Sequence, residues 1–179
     1  TLDDLPAGSK VGTASLRRRA QILARRPDLE VVPFRGNVGT RLAKLADGLA
    51  DATLLAKAGL DRLGMADKIT TALDVEVMTP AAAQGAIGIE ILQKDAALAD
   101  ALAQIEHRDT AITIAAERAL LGALDGSCRT PIGAFATLDG AGGLSLQGLL
   151  ADEDGGKIWR ASRHGAIADA VALGRDAGA

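Results

Sequence analysis

Two hydrophobic periods alternate along this chain, and they change character near its middle. Lys10–Ser15 (KVGTAS) reads as a short strand running into a turn. Leu16–Arg26 reads as a helix with Leu16, Ala20, Leu23 and Ala24 near helical spacing, closed by Pro27-Asp28. Leu29–Phe34 is a second strand, which Pro33 assigns to an end or an edge. A loop at Arg35-Gly36-Asn37 leads into a helix over Val38–Leu45 with Leu42 and Leu45 inward. Ala52–Ala56 reads as a short buried strand, Leu60–Leu63 as a helical turn and Val75–Met78 as another strand. Strands alternating with helices predict a parallel α/β sheet.

Thr79–Gln84 (TPAAAQ) reads as a crossover or hinge. Gly85–Leu92 is strand-like, with Ile87, Ile89 and Ile91 alternating, and Asp95–Ile105 is a short helix. Thr110–Leu124 carries one apolar stripe (Ile112, Ala115, Ala116, Ala119, Leu120, Ala123) and predicts an amphipathic helix. After the loop Asp125–Thr130, strands near 132–138, 144–150 and 157–163 are separated by DGAGG and DEDGG, which predicts an antiparallel meander. A last helix is expected over Ala166–Leu173.

Composition narrows the function classes. Of 179 residues, 48% are hydrophobic but only 2% aromatic, so the core must be built from Ala, Leu, Ile and Val. No apolar run approaches the roughly 18 residues a membrane helix needs, and no secretory leader opens the chain. A single cysteine excludes an internal disulfide. These features predict a cytoplasmic protein without a membrane partner. Charge is uneven. Residues 1–44 hold nine basic and four acidic residues, and residues 45–179 hold eleven basic and nineteen acidic. The basic segment points to an anionic ligand. Nucleic acid is a poor candidate, because almost no aromatic residue is available there for base stacking.

Thr13 and Ser15 sit where a strand turns into a helix, a position that favours an anion, and Arg17, Arg18 and Arg19 follow at once. Adjacent helical side chains splay, so all three cannot face one ligand. An N-capped helix with a solvated basic face is the alternative. Arg35 and Arg41 flank a second strand-to-helix turn and Arg62 follows the third strand, where ligands of parallel sheets bind. Arginine grips carboxylates bidentately, so a ligand with several carboxylates would match. Separate surface arginines are the plain alternative. Cys128 lies in Gly126-Ser127-Cys128-Arg129-Thr130-Pro131, where Arg129 would favour the thiolate. The alternative is a small buried hydrophobe. A nucleophilic cysteine would need His107 or His164 within reach. Asp125, Glu117 and Glu106 are not singled out by spacing, and a metal site lacks ligand spacing.

Glu117-Arg118-Ala119-Leu120 followed by Leu124–Gly133 closely resembles the cofactor-attachment signature of porphobilinogen deaminases (hydroxymethylbilane synthases). VGTASLRRRAQ, RRPDL, FRGNVGTRLAKL, AGLDRLG and PAAAQGAIGIE precede it in the family's order at compatible spacing, so the resemblance covers nearly the whole chain. It implies a transferase of tetrapyrrole (porphyrin, heme) biosynthesis. Such an enzyme joins four porphobilinogen units into hydroxymethylbilane with release of ammonia, on a dipyrromethane cofactor held by a thioether to a cysteine. Cys128 matches that cysteine. Thr13, Ser15, Arg17, Arg18, Arg35 and Arg41 match cofactor-binding positions, Arg62 and Gln84 substrate-binding ones, and Arg19 none. The partners implied are porphobilinogen and the growing pyrrole chain.

The resemblance also implies an α/β fold: a periplasmic-binding-protein-like second lobe over 3–79, and a hinge with a segment returning to the first lobe over 80–107. A small α+β cofactor-attachment domain with a three-stranded antiparallel sheet follows over 108–179. The first lobe, with the family's catalytic aspartate, matches no segment here, so this chain alone is expected to be inactive and contributes no catalytic residue. The parent enzyme is expected to be monomeric, with self-association of this portion left open. Departures are Ala83 where glycine is usual, Ser127 where glycine is common and Lys57 where a small or apolar residue is frequent. The rivals are a carboxylate-binding module without catalysis and a cysteine acyl-transfer enzyme.

Overall fold

The computed structural model describes residues 1–127 and 129–179, so the expectation for Cys128 lies outside the described residues. The fold is mixed α/β, built on two three-stranded sheets. In the first, β1 (Lys10–Gly12) runs parallel between β2 (Glu30–Val32) and β3 (Ala52–Thr53). Val11 faces Val31 on one side and Ala52 on the other and is fully buried, which makes it the centre of a core with Leu2, Ile22 and Leu29. Strands this short stop early. β2 ends at Val32 before Pro33, and β3 is two residues rather than the five expected over Ala52–Ala56.

Helix α1 (Leu16–Arg25) starts where extended Ser15 accepts the Arg18 amide at 3.4 Å. It ends at Arg26, before Pro27. Its buried face differs from the apolar stripe expected. Arg17, Arg18, Ala20, Gln21 and Ile22 are buried, whereas Leu16 and Leu23 are half-buried and Ala24 is exposed. The arginines and Gln21 turn inward because they meet backbone carbonyls there, as described below. Helix α2 (Val38–Ala46) is capped by Asn37, which accepts the Thr40 amide at 2.9 Å, and α3 (Lys57–Arg62) follows β3.

Two expected strands do not form. Val75–Met78 is a turn in which the Val77 and Met78 amides both reach the Asp74 carbonyl. Gly85–Leu92 is irregular, with Ile87, Ile89 and Leu92 strongly exposed. Alternation supplies two faces, but a strand also needs a neighbouring strand, and among the described residues none pairs with either stretch. Between the two failures runs a strap, Thr79–Gly85, in which Ala83 has φ +60°, a left-handed conformation costly for a residue with a Cβ. Ala83→Gly is therefore expected to raise stability by about 0.5–1 kcal/mol in urea denaturation. A loss would contradict this.

The second half follows the meander reading. Helix α4 (Ala96–Ala103) precedes α5 (Arg108–Ala123), which packs on an antiparallel sheet β4 (Ile132–Leu138), β5 (Gly143–Ala151) and β6 (Ile158–Ala166). The last helix comes later than expected: a 3₁₀ turn, Ile167–Asp169, precedes α6 (Ala170–Gly178). Leu120, Ile132, Ala134, Leu144 and Leu146 form the core between α5 and the sheet. Gly174 lets α6 approach the Ala116 carbonyl of α5, where a Cβ would collide. The two halves meet at α1. Ala20 packs on Leu149 and Ala151 of β5, and Gly155, in the β5–β6 turn with φ +75°, lies against the α1 backbone.

Candidate carboxylate-binding cleft

A largely apolar cleft of about 480 Å³ opens beside α1, β3 and α3. Its charged lining is Arg17, Arg18, Lys57 and Lys68 together with Asp4, which bonds the amino terminus, and Asp51, which accepts the Lys10 amide, and Gln84 lies at its wall. The Arg17 side chain is 5% exposed; it donates to the Thr79 carbonyl and, at 3.3 Å, to Gln84 Oε1. Arg18 is 8% exposed and donates to the Leu54 carbonyl at 2.6 Å. These are neutral acceptors. Ion pairs among the described residues involve Arg25, Arg26, Lys57, Lys68, Arg163 and the amino terminus, and none involves Arg17 or Arg18. Burial, then the neighbouring charge of Arg18, brings the Arg17 pKa down to about 10, so it remains cationic at neutral pH. Burial and then the charge of Arg41 lower that of Arg18. A cluster of buried, uncompensated positive charge is costly unless an anion joins it.

The other expected residues are distributed around this pair. Thr13 Oγ1 accepts the Ser15 amide at 3.2 Å, so both hydroxyls shape the strand-to-helix turn through their lone pairs and keep a proton to donate. Arg41 Nε donates to the Gly36 carbonyl at 2.9 Å, which folds it back on the β2–α2 turn. Arg62 donates to the Gly85 carbonyl at 2.7 Å. Arg35 and Arg62 are exposed and Arg41 is half-buried, and none of the three lines the cleft, nor do Thr13 and Ser15, so of the five arginines matched to binding positions only Arg17 and Arg18 share this wall. Arg19 is exposed. Lys57 lies at the cleft and pairs with Asp61 at 2.7 Å on the surface.

Sequence reasoning missed four residues that hold the strap. Gln21 clamps Thr79 through both its backbone groups, at 2.8 Å and 3.1 Å. Arg160 of β6 reaches Thr79 Oγ1 at 3.3 Å. Thr79 itself is 1% exposed, and Glu117, 6% exposed, accepts the Ala83 and Ala136 amides at 2.6 Å and 2.9 Å. Glu117 carried a signal: it lies between Ala116 and Leu120 on the buried face of α5, where a carboxylate requires partners. Desolvation raises its pKa above the ordinary value of 4.5, against the two amide bonds. The folded chain therefore binds a proton more readily than the unfolded chain. The contribution of Glu117 to stability falls as pH rises through the window from 4.5 up to that raised value. The stability advantage of the parent over Glu117→Gln should shrink across that window in urea titrations at several pH values. A widening gap would contradict it.

Neither histidine bonds a described residue of the segment 126–127 or 129–131. His107 caps the start of α5, whose 16 residues span about 24 Å, and Ser127 lies beyond its other end. His164 bonds Ser145, which is opposite Thr137, whereas that segment enters β4 at Ile132. Among the described residues no group of His, Cys, Asp and Glu could hold a metal ion, and no helix is long and apolar enough to cross a membrane.

Fold and site together define a mixed α/β protein with a cationic cleft. Residues 1–100 match the family model "Porphobilinogen deaminase, dipyromethane cofactor binding domain", and residues 111–179 match "Porphobilinogen deaminase, C-terminal domain". The chain belongs to the porphobilinogen deaminase family, whose members are transferases carrying a dipyrromethane cofactor. It is 51% identical to the chloroplastic porphobilinogen deaminase of Oryza sativa subsp. japonica over 99% of this chain and 50% of that protein. It is 50% identical to the chloroplastic enzyme of Pisum sativum over 99% of this chain and 49% of that protein. To porphobilinogen deaminase from Paracoccus denitrificans it is 52% identical over 98% of this chain and 56% of that protein. The chain spans about half the length of the curated relatives it matches.

Proposed function

We propose that this chain is the cofactor-holding part of an enzyme that polymerises four porphobilinogen units into hydroxymethylbilane, releasing ammonia at each joining. The observation that carries the reading is the pair of buried guanidinium groups, Arg17 and Arg18, that face one cleft without a carboxylate partner among the described residues. A dipyrromethane with acetate and propionate arms fits that site, because its carboxylates supply the missing counter-charge. When bound, the cofactor supplies the pyrrole end to which new units are joined. Cys128 is its attachment point in this reading. Arg17 and Arg18 bind its carboxylates, Arg41 adds positive field, and Thr13 and Ser15 donate hydroxyl protons. Arg35 and Arg62 serve later rings from outside the cleft, and Gln84 orients Arg17.

Residues 3–79 form the second, periplasmic-binding-like lobe in this reading, 80–107 the hinge and a segment belonging with the first lobe, and 108–179 the attachment domain. Exposed Ile87, Ile89 and Leu92 support a further neighbour for that segment, and self-association of this portion taken alone, the parent enzyme being monomeric in this reading. A cytoplasmic location accompanies the reading. The chain alone should not form hydroxymethylbilane.

The reading is tested by titrating the purified chain with free dipyrromethane carrying acetate and propionate groups, followed by calorimetry. Binding should weaken with salt and in Arg18→Gln, and stay unchanged in Arg19→Ala. Salt-independent binding that survives Arg18→Gln would overturn it.

A further inference from the structure

We propose that Glu117 is a positioning residue for the cleft: from α5 its carboxylate holds the strap in the arrangement that presents Gln84 to Arg17. The inference rests on the reading of the cleft given above. Glu117 is buried, and among the described residues no cation pairs with it. A buried carboxylate is costly, so its place is explained by what it alone can do. Each of its oxygens accepts a backbone amide, Ala83 through Oε2 and Ala136 through Oε1. A glutamine there would offer one acceptor and turn an NH₂ group against the other amide.

Ala83 is the strap residue most in need of holding, because it is left-handed. Beside it the Gln84 and Ala86 amides make only local turn bonds, to the Ala81 and Ala83 carbonyls, and the strap's other backbone tie to the second sheet is three residues earlier, where the Pro80 carbonyl accepts the Ala134 amide at 3.0 Å. Glu117 therefore anchors this turn to α5 and β4. The very next residues meet the cleft side: Gln84 Oε1 accepts from Arg17 and the Gly85 carbonyl from Arg62. Three consecutive strap residues thus connect α5 to α1 and α3. A shift of the Ala83 amide would carry Gln84 away from Arg17, whose remaining acceptor in the strap is the Thr79 carbonyl.

The experiment uses the 179-residue chain in four variants: Glu117→Gln, Glu117→Asp, Arg17→Gln and Leu146→Ala. Leu146 is fully buried in the second sheet, opposite Ala136, and serves as a destabilising comparison that leaves Glu117 itself in place. Two quantities are read: the side-chain NMR signal of the Arg17 guanidinium without ligand, and the Kd for the free dipyrromethane probe. Glu117→Gln should move or broaden the Arg17 signal and raise Kd roughly tenfold, the effect of losing a hydrogen bond to a charged group. Glu117→Asp, which keeps the charge but shortens the reach, should do the same and decides the matter if the glutamine variant does not fold. Leu146→Ala, at a comparable loss of Tm, should do neither. An Arg17 signal unchanged in the Glu117 variants, or moved as much by Leu146→Ala, would overturn the positioning role. If Arg17→Gln leaves probe binding intact, the carboxylate reading of the cleft fails, while the Arg17 signal still decides the role of Glu117.

Discussion

Replacing Arg17 with glutamine is expected to weaken binding of the free dipyrromethane probe by about 3 kcal/mol, roughly a 150-fold rise in Kd, without a matching loss of stability. The two effects differ because of where the charge sits. Arg17 is buried among neutral acceptors and beside a second cation, Arg18, so the ligand-free chain bears the cost of holding it. Glutamine removes the buried charge, and the Thr79 carbonyl keeps the Gln21 amide as its donor at 3.1 Å. Unfolding in urea should show the variant within about 1 kcal/mol of the parent, or above it. The ligand, however, loses its best-desolvated counter-ion, and salt dependence of the remaining binding should fall. Stability lowered by more than 2 kcal/mol with unchanged affinity would make Arg17 a structural residue and remove the main support for the cleft.

A second large effect is expected at Gly155→Ala, a loss of about 2–4 kcal/mol. Two penalties combine there. The residue is left-handed, and an added Cβ would run into the Ala20 carbonyl and sit 2.7 Å from the Ala24 nitrogen of α1. Both obstacles are helix backbone, so neither can swing aside. Gly140→Ala is the control, with φ +75° and nothing within 4 Å of an added Cβ, and should cost only about 1 kcal/mol. Because α1 carries Arg17 and Arg18, the Gly155 variant should also lose probe affinity, whereas the Gly140 variant should not. Equal losses of stability for the two variants would show that the approach to α1 contributes nothing.

The residues explain which expectations the structure met. The meander was legible because its strands alternate and its connections are glycine-rich, two independent signals for the same boundaries. The first parallel strands were legible from their setting between helices. Val75–Met78 and Gly85–Leu92 were misread because strand-like composition says nothing about whether a neighbour exists. At α1 the apolar stripe was misleading for a different reason. Its inward positions went to Arg17, Arg18 and Gln21, whose partners are carbonyls of Leu54 and Thr79, 36 and 58 to 62 residues away in sequence. Periodicity cannot foresee such partners. Gln84 was found only through resemblance to a family, and Glu117 was passed over although its place within an apolar face was visible.

The β6 strand that sends Arg160 to Thr79 also carries Trp159, the sole tryptophan in a chain without tyrosine, and it is 51% exposed. Its emission therefore comes from a single site, one residue from the contact that fastens the strap, with no other indole or phenol to obscure it. The chain thus contains its own optical reporter beside the Arg160–Thr79 contact: unfolding of this region can be followed in real time by intrinsic fluorescence in the unlabelled protein.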